Sequence, residues 1–551
     1  MSGEAAWSRV TRAWRWALGS TPLGARELVL GGVLLAAAGA AVYYPHVLHG
    51  GFYSDDWSLS TFYRLPTPDY GRAVDILDHI LGARPLLARL QPVSHALFGL
   101  DFRGHLALAA LLGVLTSTCL FAFLRATGLE PLHALAVSGL ALIYPWSDGA
   151  RLWTTGSVNQ VALCLGLAGA AVALRGLSSR PRRAVALHVL ALVLYAGAVL
   201  TYESVGPLLL LAGVLYVIRT SWRAAWPRWT ADVLVVGSLL AWSRAKSAEV
   251  RFVPSVDQVL DDVAEFLRQA WSVVGLSVRP FLVTPAVPIA AVAVLLLLLV
   301  LRFPREPAAR RALFRWLTIA GGALVALVAA WAPFLGSTLH PLDTGINGRV
   351  NMVAGPALVL CVYSLAGAAG VLACRGRWRA WAPAVPLATA TVLAAGYAYR
   401  VRGDIVLWDR AAAMQADVLR AIDRALPARP PAGTTIYTYG HAADLAPGIP
   451  IFSVPWDLQG AIQSRYDASD HAYPLVVDAH LVCTARTVYP VAAPHVYGVL
   501  GGGYGPAQGA VYGRAVVIDV RTARARPIAD RGSCRQAAAA VQPWPIILQF
   551  P

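Results

Sequence analysis

Across 551 residues, 57% hydrophobic and only 14% charged, with a mean hydropathy of +0.56, the chain departs from soluble globular proteins, in which about a quarter of residues are charged. It reads as an integral membrane protein, and about eleven spans of about 20 residues still leave well over half of it for loops and an aqueous domain. The net charge of +16 does not point to nucleic acid, because the basic residues punctuate apolar runs and form no stripe with interleaved aromatics.

The first apolar run, Leu28 to Tyr44, follows Arg9, Arg12, Arg15 and Arg26 and precedes no small-residue cleavage site, so it is expected to remain as an anchor. Further runs fall near 104–124, 131–146, 158–174, 184–201, 205–218, 230–243, 285–301, 317–335, 352–373 and 382–399, giving eleven predicted spans. With the N-terminus in the cytoplasm, the inside segments 1–26, 125–130, 175–183, 219–229, 302–316 and 375–379 hold four, one, four, three, five and three arginines. The outside loops 147–157, 202–204 and 336–351 hold only Arg151, none, and Arg349, the asymmetry that orients membrane proteins. The longer outside segments are 45–103 and 244–284, and an odd span count puts the tail outside as well. The expected fold is a polytopic α-helical membrane protein of about eleven transmembrane helices over 1–399, multi-pass in the plasma membrane. A C-terminal extracytoplasmic α/β domain over 400–551 completes it.

In that tail a helical pattern from Ile405 to Leu426 gives way to turns around short β-type runs, Thr434 to Tyr439, Pro474 to Val477 and Ala515 to Val520. Cys119, Cys164, Cys361 and Cys374 lie in or at the ends of spans. Cys483 and Cys534 fall in the tail, where an oxidising exterior favours a disulfide and the alternative is two buried free thiols. No CxxC or HExxH spacing and no internal repeat occurs. Gly501-Gly502-Gly503-Tyr504-Gly505 lacks the helix and lysine of a phosphate loop and reads as a flexible loop.

The first outside loop carries Gly51-Phe52-Tyr53-Ser54-Asp55-Asp56-Trp57, two adjacent carboxylates between aromatics just past a span. Such a carboxylate can take a proton from an acceptor hydroxyl while its neighbour raises its pKa or orients it. The alternative is a solvated turn capping an interfacial helix. Of 46 basic residues only Lys246 is lysine, so contacts to phosphate fall mainly to arginine, whose forked donors suit phosphate oxygens. Arg84 and Arg349, each in an outside segment near a helix end, are the phosphate candidates, with Lys246 a third; for each the alternative is a headgroup anchor. Glu203, in the shortest outside turn, is a functional-site suspect by position, able to orient an arginine or hydrogen-bond a sugar hydroxyl. His95 and His105 read chiefly as packed histidines, and Tyr53, Trp57, Trp146 and Trp153 as interfacial aromatics.

The Asp55-Asp56 pair, Arg84-Pro85, Leu97-Phe98-Gly99-Leu100 and Gly104-His105 opening the next helix together resemble the GT-C superfamily of membrane glycosyltransferases. Ile143-Tyr144-Pro145-Trp146, Arg151 to Gly156 and Leu200-Thr201-Tyr202-Glu203-Ser204 extend the resemblance over roughly 45–220, and Asn347-Gly348-Arg349-Val350-Asn351 is similar to the loop that faces the lipid phosphate there. Such enzymes often have lysine where this chain has Tyr202 and asparagine where it has Ala109. The resemblance implies a GT-C-like fold and a polyprenyl-phosphate sugar donor. Asp55 and Asp56 are then the catalytic candidates, and Arg84, Glu203, Arg349, Lys246, His105 and Tyr202 the substrate-binding ones. The acceptor is a hydroxyl of a cell-envelope glycan, glycolipid or protein. No cofactor is required by the sequence, and two acidic side chains are too few to argue a divalent metal. Arginine in place of lysine and richness in alanine fit a GC-rich genome, for which arabinose or mannose are the sugars to test first. The competing classes are a transporter or lipid flippase, which needs charges along a path through the spans, and a non-catalytic cell-wall scaffold.

Overall fold

The computed structural model describes residues 23–248, 256–280, 286–335, 337, 339–426, 428–467, 469–476, 479–491 and 509–541; Arg9, Arg12, Arg15, Val477 and the 501–505 loop lie outside the described residues. All eleven predicted apolar runs fall on helices. In chain order the helices are α1 (Ala25–His49), α2 (Asp55–Arg64), α3 (Tyr70–Ile80), α4 (Pro85–Phe98), α5 (Phe102–Thr127) and α6 (Pro131–Leu142). They continue with α7 (Gln160–Gly176), α8 (Pro181–Thr201), α9 (Gly206–Leu210), α10 (Ala212–Arg219), α11 (Trp222–Ala248) and α12 (Val256–Val278). The last of the bundle are α13 (Ala286–Leu301), α14 (Pro307–Trp331), α15 (Asn351–Ala373) and α16 (Ala384–Ala425).

Six helical segments among the described residues are long and apolar enough to cross a membrane: Ala25–His49, Phe102–Thr127, Thr154–Gly176, Pro181–Thr201, Pro307–Phe334 and Ile346–Ala373. The chain is thus a multi-pass helical membrane protein. Two predicted runs are shorter as helices than as sequence: 131–146 stops at Leu142 ahead of Pro145, and 205–218 is interrupted between Leu210 and Ala212. Local chemistry sets many ends. Pro131, Pro181 and Pro307 occupy first turns, where a missing N–H costs nothing. Asp101 caps α5 by accepting from Arg103 N, and Gly128 ends it in the left-handed conformation.

Two features were not expected from the sequence. The first outside segment is no simple loop but folds into α2, α3 and α4, whose Leu59, Leu77 and Ala88 make a small core of their own. And α16 runs unbroken for 42 residues through position 400. At about 1.5 Å per residue it is about 63 Å long, twice the hydrocarbon thickness of a bilayer, and Arg400, Arg402 and Asp404 fall inside it without a break.

Beyond α16 lies an α/β unit. Its four-stranded sheet has the order β4 (His471–Pro474), β1 (Thr435–Tyr439), β8 (Ala515–Asp519), β9 (Arg524–Pro527). The central β1 is parallel to both neighbours, and β8 and β9 are antiparallel. A two-stranded ribbon, β2 (Asp444–Ala446) with β3 (Ile449–Pro450), and a three-stranded antiparallel sheet, β5 (His480–Cys483), β6 (Thr487–Val491) and β7 (Ala510–Val511), flank it. Helix α17 (Pro455–Arg465) precedes β4, and a disulfide joins Cys483 on β5 to Cys534 on α18 (Arg531–Ala540). The unit is not tethered loosely. Trp408 and Ile422 of α16 share one hydrophobic core with Ile436, Leu458 and Ile462 of the tail. Helix α17 lies against α2 so closely that a Cβ on Gly460 would stand 2.5 Å from the backbone carbon of Trp57. The contact leaves room for glycine alone.

Candidate active site

The turn between α1 and α2 presents the two aspartates in different ways. Ser54 sits at φ 46°, ψ −118°, close to the backbone of Gly99 at φ 59°, ψ −118°, which carries no Cβ to strain there. This turn starts α2 at Asp55, where a carboxylate also suits the helix dipole. Because successive helical residues point about 100° apart, Asp55 and Asp56 meet different hydrogen-bond partners, although the charge of Asp55 still raises Asp56. A strained non-glycine residue at this point costs about 1–3 kcal/mol. Ser54→Gly is therefore expected to raise stability by about 1 kcal/mol, read as a higher melting temperature in detergent, and Ser54→Ala to give no gain.

Asp56 is 1% exposed and both its oxygens are used. Oδ1 accepts from Thr155 N at 2.9 Å and Thr155 Oγ1 at 2.6 Å, and Oδ2 accepts from Tyr53 N at 3.0 Å. Burial pushes its carboxyl up to about 7 against these donors, and they clamp the turn onto the 147–157 segment. Asp55 is half-buried, and its oxygens are divided. Oδ1 accepts from the indole Nε1 of Trp456 at 2.7 Å and weakly from Ser54 Oγ at 3.4 Å, and no hydrogen bond among the described residues engages Oδ2. Burial raises its carboxyl above the ordinary range, and the Trp456 bond and the charge of Arg349 oppose that rise.

Arg349, in the turn Ile346–Val350, lies over the Trp153 ring at 5.2 Å. Its loop is held by a residue that the sequence did not single out, Asp148, whose Oδ1 accepts from Gly149 N at 2.8 Å. Asp148 Oδ2 accepts from Gly345 N at 2.7 Å, Trp408 Nε1 at 3.0 Å and Thr344 Oγ1 at 3.2 Å. Asn351 adds bonds from Nδ2 to the carbonyls of Trp146 and Leu342. From the tail, the Gly448 carbonyl accepts from Ile346 N at 2.8 Å. No spacing rule links Asp148 to 344–345; the only signal was an acid in an outside loop.

Arg84 caps α4 and forks onto Glu203, Nε to Oε2 at 2.7 Å and Nη2 to Oε1 at 2.8 Å, with the Tyr202 ring 4.7 Å beneath it. Against the desolvation of burial, Arg84 holds Glu203 below the usual carboxylate range. Glu203 and Tyr202 thus orient an arginine whose remaining N–H groups make no hydrogen bond among the described residues. Two candidates are not brought to this group. His105 is wholly buried, with Nε2 at 3.1 Å from the Gly99 carbonyl and the rings of His95, Phe52 and Phe98 packed around it, so it has no surface to offer a substrate. Lys246 is exposed at the end of α11, and no interaction among the described residues joins it to the others. Tyr53, Trp57 and Trp153 are likewise fixed, through bonds to Trp408 O, Gln415 Oε1 and Tyr53 O.

Below the two arginine loops an apolar cavity of about 450 Å³ runs between the helices. Val205 and Val353, a few residues past Glu203 and Arg349, line it together with Leu124, Thr127, Leu129 and Ile319. Its walls are almost wholly aliphatic. Among the described residues no three His, Cys, Asp or Glu are grouped to hold a metal ion.

No family profile and no curated protein matches the chain. Among solved structures, it is similar to ArnT from Cupriavidus metallidurans bound to undecaprenyl phosphate, at 16% identity and a TM-score of 0.38 over 76% of this chain and 83% of that one. It is also similar to the Archaeoglobus fulgidus oligosaccharyltransferase in complex with Zn and sulfate, at 14% identity and a TM-score of 0.42 over 82% of this chain and 62% of that one. The chain spans less than two thirds of the archaeal protein. Both are distant likenesses of fold alone.

Proposed function

We propose that this chain is an inverting glycosyltransferase of the GT-C kind, moving a sugar from a polyprenyl phosphate to a hydroxyl of a cell-envelope glycan, glycolipid or protein on the outer face of the plasma membrane. The observation that carries the reading is Asp55 with one oxygen held and the other open, under the influence of Arg349, on a helix bundle that holds an apolar cavity of about 450 Å³. Asp55 Oδ2 takes the proton of the acceptor hydroxyl as its oxygen bonds to the anomeric carbon. The bond from that carbon to the donor phosphate breaks, and the electron pair leaves with the polyprenyl phosphate. Arg349 and the Glu203-oriented Arg84 face the charge that grows on that phosphate, so they stabilise the transition state beyond the bound donor. The isoprenoid chain occupies the apolar cavity. Asp56 holds the turn, and 400–551 lies outside the cell with Asp55.

A flippase needs charges lining a path, yet the buried Asp232, 3.6 Å from His188 between α8 and α11, does not line the cavity. Purified protein in vesicles with labelled polyprenyl-phosphate arabinose or mannose and a hydroxyl-bearing envelope glycan should yield labelled glycan and free polyprenyl phosphate. Movement of intact donor across the bilayer would instead identify a flippase, and glycan binding without either a scaffold.

A further inference from the structure

The tail contributes to the site as well as standing near it. Trp456 is the second residue of α17, and its indole reaches Asp55 Oδ1 at 2.7 Å across 401 positions of sequence. An indole N–H can only donate. It therefore fixes Oδ1 as an acceptor, favours the ionised carboxylate, and leaves Oδ2 as the oxygen able to take a proton. The placement of the indole is set by the helix that carries it. Gly460 lets α17 rest directly on the Trp57–Ser58 backbone, two to three residues beyond Asp55. At the start of α17, Asp457 is occupied locally, accepting from Ser453 N, Val454 N and Leu458 N.

We infer that Trp456 is a positioning residue for the transfer reaction: the extracytoplasmic domain supplies the hydrogen bond that orients and ionises Asp55, so the membrane domain alone holds an incomplete site. This rests on Asp55 being the base. The other groups around Asp55 are Arg349 from the Ile346–Val350 turn and Asp56 on its own helix. Helix α4, which packs on α2, carries Arg84, tied to Glu203, and His95, which burial lowers to about 3 and keeps neutral. None of these is an indole, and none moves when Trp456 is changed to phenylalanine.

The test uses the full chain in vesicles. Trp456→Phe keeps the ring and removes only the donor, whereas Trp456→Ala removes both. The acidic limb of the kcat profile, which rises as Asp55 loses its proton, is expected to move to higher pH by about one unit in both variants, since a hydrogen bond to a charged group is worth about that much. On that limb, below the pKa in both proteins, kcat falls about tenfold with acceptor KM little changed. Gly460→Ala, which forces α17 off α2, shifts the limb the same way without altering either partner. A phenylalanine variant with the wild-type limb and kcat would overturn the inference, as would a limb moved by Trp456→Ala but not by Trp456→Phe, the mark of a ring needed only for packing. Asp55→Asn tested alongside separates the layers: if it transfers sugar normally the base itself is wrong, and if it is inactive while Trp456→Phe is normal only the role of Trp456 fails.

Discussion

Asp55→Asn is expected to lower kcat for sugar transfer by two to four orders of magnitude, the contribution of a positioned general base, while donor KM stays nearly constant. Asparagine keeps the size and an acceptor for the Trp456 indole, so the loss isolates the proton-accepting oxygen. The wild-type profile should rise with pH and then level, because the ionised carboxylate is the active form and burial has moved its pKa above that of a free aspartate. In Asp55→Asn that limb disappears. Asp56→Asn behaves differently. Its amide can accept on one side only, whereas the native carboxylate accepts from Tyr53 N and twice from Thr155. A buried donor left without its partner costs about 1–3 kcal/mol, so the variant should melt earlier and lose activity in step with its loss of fold. Equal kcat losses in two equally stable variants would mean that the carboxylates act as a coupled pair, and the division of labour drawn from their hydrogen bonds would be wrong.

The apolar spans were legible because each is a local property: a run of about 20 apolar residues has one solution in a bilayer, and its neighbours need not be known. The tail's β1 and β8 were legible for the same reason, each a short buried run between turns. At the Asp55-Asp56 pair adjacency showed the coupling, since the charge of Asp55 raises Asp56, but not that the rotation of a helix gives the two carboxylates different hydrogen-bond partners. Position drew attention to Arg84, Glu203 and Arg349. That Glu203 faces Arg84 became visible only once α4 and α8 were packed, 119 residues apart in the chain. Asp148 had no signal beyond being an acid in an outside loop, and Trp456 had none, since a buried acid bridging two loops and an indole on a distant helix are defined by what they meet in three dimensions. The opposite failure befell Lys246, conspicuous as the only lysine and exposed on α11 away from any partner seen among the described residues.

Arg349→Ala is the second large effect expected, a fall of about 10²–10³ in kcat, and its signature separates phosphate stabilisation from headgroup anchoring. A guanidinium that serves the leaving phosphate acts most strongly as the bond breaks, so kcat falls further than donor KM rises. One that merely anchors the loop in the interface raises KM or weakens the fold. Arg349 has a second influence, because its charge opposes the burial-driven rise of Asp55. Removing it should carry the acidic limb to higher pH, whereas loss of phosphate stabilisation alone would leave the limb in place. Arg349→Lys keeps the charge but loses the planar fork that lies over Trp153, and so should restore the limb more fully than kcat. Lys246→Ala, measured beside it, is expected to leave both unchanged. If instead Lys246→Ala costs as much as Arg349→Ala, the phosphate lies elsewhere, and the constellation of Asp55, Arg349 and Trp153 describes a folded turn rather than a place where a glycosidic bond is made.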